Sequence, residues 1–192
     1  MSVSWRPDVM ALVVILNGTT SAGKTSLARA IQEAALRPFL HVQMDDFLNM
    51  QPGWLKDHAD GFVFLPVEGL TPPEVSVETG PFGKRLMDGM RRSVAAMAEA
   101  GLDLIVDDVW MGDGEQQEYR RLLNNHQPVF VGVHSALEVA EAREVARGDR
   151  DIGQARWQFS RVHVGAEYDL EVDTSQESPD VLARSLLDRL GL

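Results

Sequence analysis

The eight residues Gly18-Thr19-Thr20-Ser21-Ala22-Gly23-Lys24-Thr25 read G-x-x-x-x-G-K-[ST], the spacing of a loop that wraps a nucleotide phosphate. Glycines let the backbone curl until successive N–H groups converge on phosphate oxygens, and a helix starting at the end of the loop adds its partial positive charge. Lys24 supplies a point charge for the β- and γ-phosphates, and the Thr25 hydroxyl supplies a ligand for Mg²⁺. A turn merely rich in glycine and serine can carry similar letters, so context decides. Residues 12–16, Leu-Val-Val-Ile-Leu, precede the loop as a short buried strand. Residues 26–31 follow it with apolar positions at 27, 28 and 31, the spacing of a helix face. Strand, loop and helix together are what the motif requires, and they point to a bound nucleotide.

Acidic and basic residues recur where phosphate chemistry needs them. Residues 39–44 read as a second strand closed by Asp45 and Asp46, and residues 102–106 as a later strand closed by Asp107 and Asp108. In a doubly wound sheet ligands sit beyond the carboxyl ends of the strands, so both acidic pairs fall on the rim that carries the phosphate loop. An Asp ending such a strand holds Mg²⁺ through its water shell opposite the Thr25 hydroxyl. Asp107 is the expected one, with Asp108 left to help bind an acceptor. Two readings stand for Asp45 and Asp46. One carboxylate faces the site, since neighbours on an extended segment point opposite ways, or the pair caps a helix starting near Phe47.

Arg143 and Arg147 lie one helical turn apart, and Arg150 lies a further turn on. Arginines closing over a transferring phosphoryl group stabilise its spread negative charge. The same residues on a solvated helix would pair with Glu138, Glu141, Glu144 and Asp149 instead. Beside a phosphate loop a lid over residues 143–153 is the better reading, with Asp151-Ile152-Gly153 as its hinge.

The scaffold that must position these residues follows from periodicity. A first helix runs from Lys24 to about Leu36 and stops before Pro38. Residues 47–81 have no sustained period; Trp54, Phe62 and Phe64 are scattered among Pro52, Pro66, Pro72, Pro73 and Pro81. An irregular insert just after the second strand overhangs the phosphate site and suits an acceptor pocket for an apolar small molecule. His58 within it reads as a solvated surface residue. Residues 82–100 read as a helix whose Phe82, Leu86, Met90, Val94 and Met97 face a core, ended by Gly101. Further helices are expected over 112–125, 137–147, 154–167 and 179–190, and further strands over 128–133 and 168–175. Strands alternating with helices predict a single α/β domain over residues 1–192, with a five-stranded parallel sheet covered by helices on both faces. Residues 1–8 read as a frayed start in which Trp5 has no assigned role.

Composition narrows the partners. The 192 residues carry a formal net charge of -11, which argues against nucleic acid or an anionic membrane. With no cysteine there is no disulfide frame, thiol nucleophile or thiolate metal site, and a cytoplasmic location fits. The apolar run at residues 10–16 is too short to span a membrane and leads straight into the phosphate loop, so it is not a cleaved leader either. A homo-oligomer is compatible with the sequence, which carries no signal for one.

Taken together, Ile15-Leu16-Asn17-Gly18, Ser21-Ala22-Gly23-Lys24, Met44-Asp45, Ile105-Val106-Asp107-Asp108-Val109, the block 143–150 (REVARGDR) and the block 167–174 (EYDLEVDT) resemble the chloramphenicol phosphotransferase family. The resemblance runs from about residue 11 to 175. It implies a phosphate-loop kinase-like fold related to nucleoside monophosphate and shikimate kinases, with ATP as the phosphate donor and Mg²⁺ as its metal. It implies transfer of the γ-phosphate to the primary hydroxyl of chloramphenicol, which inactivates the antibiotic. The family's catalytic base falls on Asp45, and its lid arginines fall on Arg143, Arg147 and Arg150. Thr25 stands where a serine is expected, a change neutral for Mg²⁺ ligation. Asp46 stands where a small polar residue is expected, and residues 47–81 do not match, which leaves as alternatives a metabolic kinase acting on a nucleotide, sugar or other alcohol, or an ATP-binding regulatory module.

Overall fold

In the computed structural model, residues 10–148 and 151–192 are described; the expectations for Trp5 and Arg150 lie outside them. The chain runs β1 (Leu12–Asn17), α1 (Lys24–Ala34), β2 (Phe39–Gln43), α2 (Met44–Asn49), a 3₁₀ turn (Gly53–Leu55), β3 (Phe62–Pro66), β4 (Val75–Thr79) and α3 (Pro81–Glu99). It continues through β5 (Asp103–Asp108), α4 (Gly114–Leu122), β6 (Gln127–His134), α5 (Leu137–Arg147), α6 (Gln154–Phe159), β7 (Leu170–Asp173) and α7 (Pro179–Leu190). Five strands form one parallel sheet in the order β2-β5-β1-β6-β7.

The period-2 alternation of β1 explains the layers. Leu12, Val14 and Leu16 pack with Leu27 and Ile31 of α1 and Leu182 and Leu186 of α7 on one face. Val13 and Ile15 pack with Met90 and Val94 of α3 and Tyr119 of α4 on the other. All six β1 residues are buried, as a central parallel strand requires. Register then aligns the site: Gln43 of β2 and Leu16 of β1 both pair with Asp107 of β5. The carboxyl ends of these strands therefore open on one rim. No helix among the described residues is long and apolar enough to cross a membrane.

Two expectations are corrected. Residues 47–81 are not irregular: α2 occupies their start, and β3 pairs antiparallel with β4 as a separate two-stranded sheet. Phe62 at one end of this hairpin is buried in the α3-side core, and Gly83 of α3 approaches so closely that a Cβ there would lie 2.8 Å from the Gly61 carbonyl oxygen. Packing, not local period, makes this hairpin. The helix expected over 154–167 stops at Phe159, and turns carry the chain to β7.

Candidate active site

The phosphate loop is shaped by what surrounds its glycines. A Cβ on Gly18 would lie 2.3 Å from the Val133 carbonyl oxygen, so β1 leaves the sheet too close to β6 for any side chain. Gly23 turns the chain into α1 at φ +94°, a conformation natural to glycine. No side chain caps α1, which leaves its N-terminal dipole directed at the loop's hollow. Ser21 also adopts a positive φ, and its buried hydroxyl has no hydrogen-bond partner among the described residues. Strain and an unsatisfied donor in one loop residue fit a place prepared for phosphate.

Lys24 is buried and donates to the carbonyls of Gly18 at 2.9 Å and Thr19 at 3.0 Å. Its ammonium lies 3.9 Å from an Asp107 carboxylate oxygen. The Thr25 hydroxyl donates to Asp107 at 2.5 Å. Burial pushes the Asp107 carboxyl upward, but the His41 ring, the Lys24 charge and the Thr25 hydroxyl outweigh it and hold the group below the usual carboxylate range. His41, on β2, points a buried nitrogen at Asp107 from 3.9 Å. Among the described residues no cluster of three or more His, Cys, Asp or Glu side chains forms a self-contained metal cage. Thr25 and Asp107 instead present a sparse, oxygen-only pair, the donor type that Mg²⁺ prefers.

Asp108 is turned the other way, as alternation along β5 demands. It is buried against α4, where it accepts the Tyr119 hydroxyl at 2.8 Å, and burial raises its carboxyl. The expectation that Asp108 helps an acceptor is therefore corrected: it belongs to the core.

Asp45 and Asp46 both sit in the first turn of α2, where the helix dipole favours acids. The capping reading fails, since α2 begins at Met44 with Gln43 as its N-cap and no side-chain cap bond. Asp45 lines the cleft, whereas Asp46 takes a hydrogen bond from Gln43 at the exposed surface. Across the cleft, an Arg147 nitrogen comes within 4.0 Å of Asp45. Arg143, one turn earlier, is tied to the floor rather than raised as a cover. It donates to the Thr174 carbonyl at 2.8 Å, the Thr174 hydroxyl at 3.0 Å and the Ala22 carbonyl of the phosphate loop at 3.4 Å.

The hinge expected at 151–153 is held by a residue that the sequence offered only as an alternative ion-pair partner for the arginines. Glu144 is fully buried, and its two oxygens accept the backbone N–H groups of Gly153 and Ala155, each at 2.8 Å. Glu141 pairs with Arg156 of α6 rather than with the arginines of its own helix. On α6, the Gln158 side-chain oxygen accepts the Thr20 N–H of the phosphate loop at 2.7 Å. Neither Glu144 nor Gln158 carries a local sequence signal for these roles.

Ser21, Lys24, Thr25, Asp45, Asp107, Arg143, Arg147 and Gln158 border one cleft of about 1220 Å³. Its floor is the phosphate loop with Asp107; its far wall is apolar, including Leu48, Leu55, Phe62, Phe64, Val77 and Trp110. Lys56, Asp57 and Glu115 add charge at that end. Trp54, in contrast, is 70% exposed and lies outside the lining, and His58 is a surface residue beside Asp60.

Known proteins give this arrangement a context. A profile of the chloramphenicol phosphotransferase-like protein family matches residues 11–191. A Mycobacterium tuberculosis (strain H37Rv) protein that carries the provisional name O-phosphotransferase Rv2636 is 34% identical over 186 residues, an alignment covering 91% of this chain and 80% of that protein. The Mycobacterium tuberculosis APS kinase CysC, solved with AMPPNP and APS, superposes with a TM-score of 0.65 at 14% identity, covering 95% of this chain and 99% of that one. Shikimate kinase from Acinetobacter baumannii, solved with shikimate, gives a TM-score of 0.57 at 14% identity over 94% and 93% of the two chains. At such identities the solved structures speak for the fold, which is that of phosphate-loop kinases.

Proposed function

The chain belongs to the chloramphenicol phosphotransferase-like family, enzymes that transfer phosphate to a hydroxyl, and from that premise we propose that it moves the γ-phosphoryl group of ATP onto an uncharged, largely apolar alcohol, chloramphenicol being the first candidate. The observation that carries this reading is the single cleft in which Lys24, Thr25 and Asp107 form the floor, Asp45 and Arg147 face each other on the rim, and an apolar wall lies beyond. The whole chain acts as one kinase domain, with residues 47–81 contributing its acceptor wall.

The residues divide the work. The loop of residues 18–25, through those backbone N–H groups not already bonded within the protein as Thr20 and Ala22 are, and the Lys24 ammonium hold the polyphosphate. Thr25 and Asp107 would hold Mg²⁺, which neutralises phosphate charge when bound. Asp45 accepts the proton of the acceptor hydroxyl as its oxygen bonds to the γ-phosphorus and the bond to the β–γ bridging oxygen breaks, releasing ADP. Arg147, and Arg143 from its anchored position, stabilise negative charge on the group in transit; Arg150 is assigned the same task from its spacing. A carboxylate or phosphate on the acceptor would meet mainly Lys56 in the apolar half, which favours a neutral body with a hydroxyl directed at Asp45.

Incubation with Mg·ATP and chloramphenicol, followed by mass spectrometry, tests the reading. The expected product is phosphorylated chloramphenicol that is not formed by a Lys24→Ala variant. Phosphorylation confined to sugar phosphates or nucleotides would overturn the neutral-acceptor reading.

A further inference from the structure

Gln158 is 6% exposed, yet half of its hydrogen-bonding capacity is unused within the protein. Its oxygen must be the atom facing the loop, because it accepts the Thr20 N–H. The carboxamide nitrogen is thereby turned away from Thr20, and among the described residues it donates to no protein atom. Gln158 borders the cleft together with Ser21, Lys24, Arg143 and Arg147. That nitrogen is not among the fully buried atoms that lack a partner, so its two donors open on the cleft that Gln158 borders.

Its position along the loop indicates what the donors face. The Lys24 ammonium rests on the carbonyls of Gly18 and Thr19, at the front of the loop. That ammonium serves the β- and γ-phosphates, and Gln158 is fixed to the next residue, Thr20. It therefore stands next to the part of the loop on which the Lys24 ammonium rests. Glu144 holds α6 in this position through Gly153 and Ala155.

We propose that Gln158 is a further catalytic residue, its oxygen fixed on Thr20 and its N–H donors directed at the oxygens of the phosphoryl group in transit. The inference rests on the phosphotransferase reading above. Gln158 exchanges no proton: the hydroxyl proton passes to Asp45 and the electron pair of the broken P–O bond leaves with ADP. The side chain contributes neutral donors that stabilise equatorial oxygen charge without adding a full positive charge beside Lys24.

Gln158→Glu separates the two halves of the residue, since it keeps an oxygen for Thr20 and replaces the donors by an anionic oxygen. Calorimetric titration of wild type and variant with Mg·AMPPNP and Mg·ADP reads the difference. The expected result is a loss of affinity for Mg·AMPPNP of about tenfold or more, with Mg·ADP affinity held within about twofold. Equal losses for both nucleotides, or no loss for either, would overturn the proposal. If Gln158→Glu fails to fold, Gln158→Met makes the same comparison with a neutral side chain of similar size: a selective loss for Mg·AMPPNP supports the proposal, and equal or absent losses overturn it. Wild type that binds neither nucleotide would sink the phosphotransferase reading itself, a result distinct from any behaviour of the variants.

Discussion

Glu144→Gln probes the joint on which the arginine side of the cleft depends. The carboxylate is fully buried, and each oxygen accepts a backbone N–H at 2.8 Å, from Gly153 and Ala155. The substitution preserves shape but turns one acceptor into an NH₂ group facing another N–H. It removes one charge-assisted hydrogen bond, typically about 1.5–3 kcal/mol, and leaves a buried donor unsatisfied. A loss of about 3 kcal/mol in unfolding free energy follows, a large part of the roughly 5–15 kcal/mol that holds a domain folded. Glu144→Ala strands both N–H groups and costs about 4 kcal/mol. The damage is expected to begin locally: α5 carries Arg143, bound to Thr174, and α6 carries Gln158, bound to Thr20. Urea unfolding gives the global loss, and hydrogen exchange at Gly153 and Ala155 gives the local one. Gln at this position with stability within about 0.5 kcal/mol of wild type and unchanged exchange at both amides would refute the reasoning.

Other consequences follow from burial and contact. His163 stacks on His134 at a centroid separation of 4.1 Å, and its Nδ1 shares a hydrogen bond with the Tyr168 hydroxyl at 2.7 Å. Burial first, and the neighbouring His134 charge second, bring its pKa down to about 4. Between the ordinary histidine value near 6.5 and about 4 the unfolded chain binds a proton that the folded chain refuses, so stability falls as pH drops through that window. Melting temperature measured from pH 7 to 4 should decline more steeply for wild type than for His163→Asn; equal slopes would exclude His163 as a source. Gly18→Ala places a Cβ 2.3 Å from the Val133 carbonyl oxygen. Steric overlap of that kind costs about 1–3 kcal/mol, and calorimetry should show a lowered melting temperature together with weakened Mg·ADP binding. An unaltered melt would mean that β1 and β6 separate easily at the loop.

Much of the scaffold is legible because its signals are local. The phosphate loop, the apolar strand before it and the stripe on α3 each fall within about one element, and strand–helix alternation implies the parallel sheet. Asp107 is legible for the same reason, as the acid closing a strand beside the loop. What escapes depends on partners far along the chain. Gln158 and Thr20 lie 138 residues apart, and Asn17 reaches Val162 across 145; no spacing rule links them. Glu144 looks like one of several acids on a charged helix, yet it alone is turned inward to cap α6. The β3–β4 hairpin is masked by prolines that lie at its ends and in its connection, and it is stabilised by Phe62 and Val77 packing against the α3-side core. His41 passes as an ordinary strand residue until β2 pairs with β5 and brings it near Asp107.

The central claim is that this cleft carries out acid–base-assisted transfer from ATP to an alcohol, with Asp45 taking the proton. The most direct measurement compares wild type and Asp45→Asn in phosphoryl transfer from Mg·ATP to chloramphenicol and a panel of neutral alcohols, alongside nucleotide affinity. The account predicts a phosphorylated alcohol with wild type, turnover reduced by about 10²–10⁴ in Asp45→Asn, and ATP affinity essentially unchanged. An Asp45→Asn variant with full turnover, or wild type that binds Mg·ATP yet phosphorylates no alcohol, would contradict it.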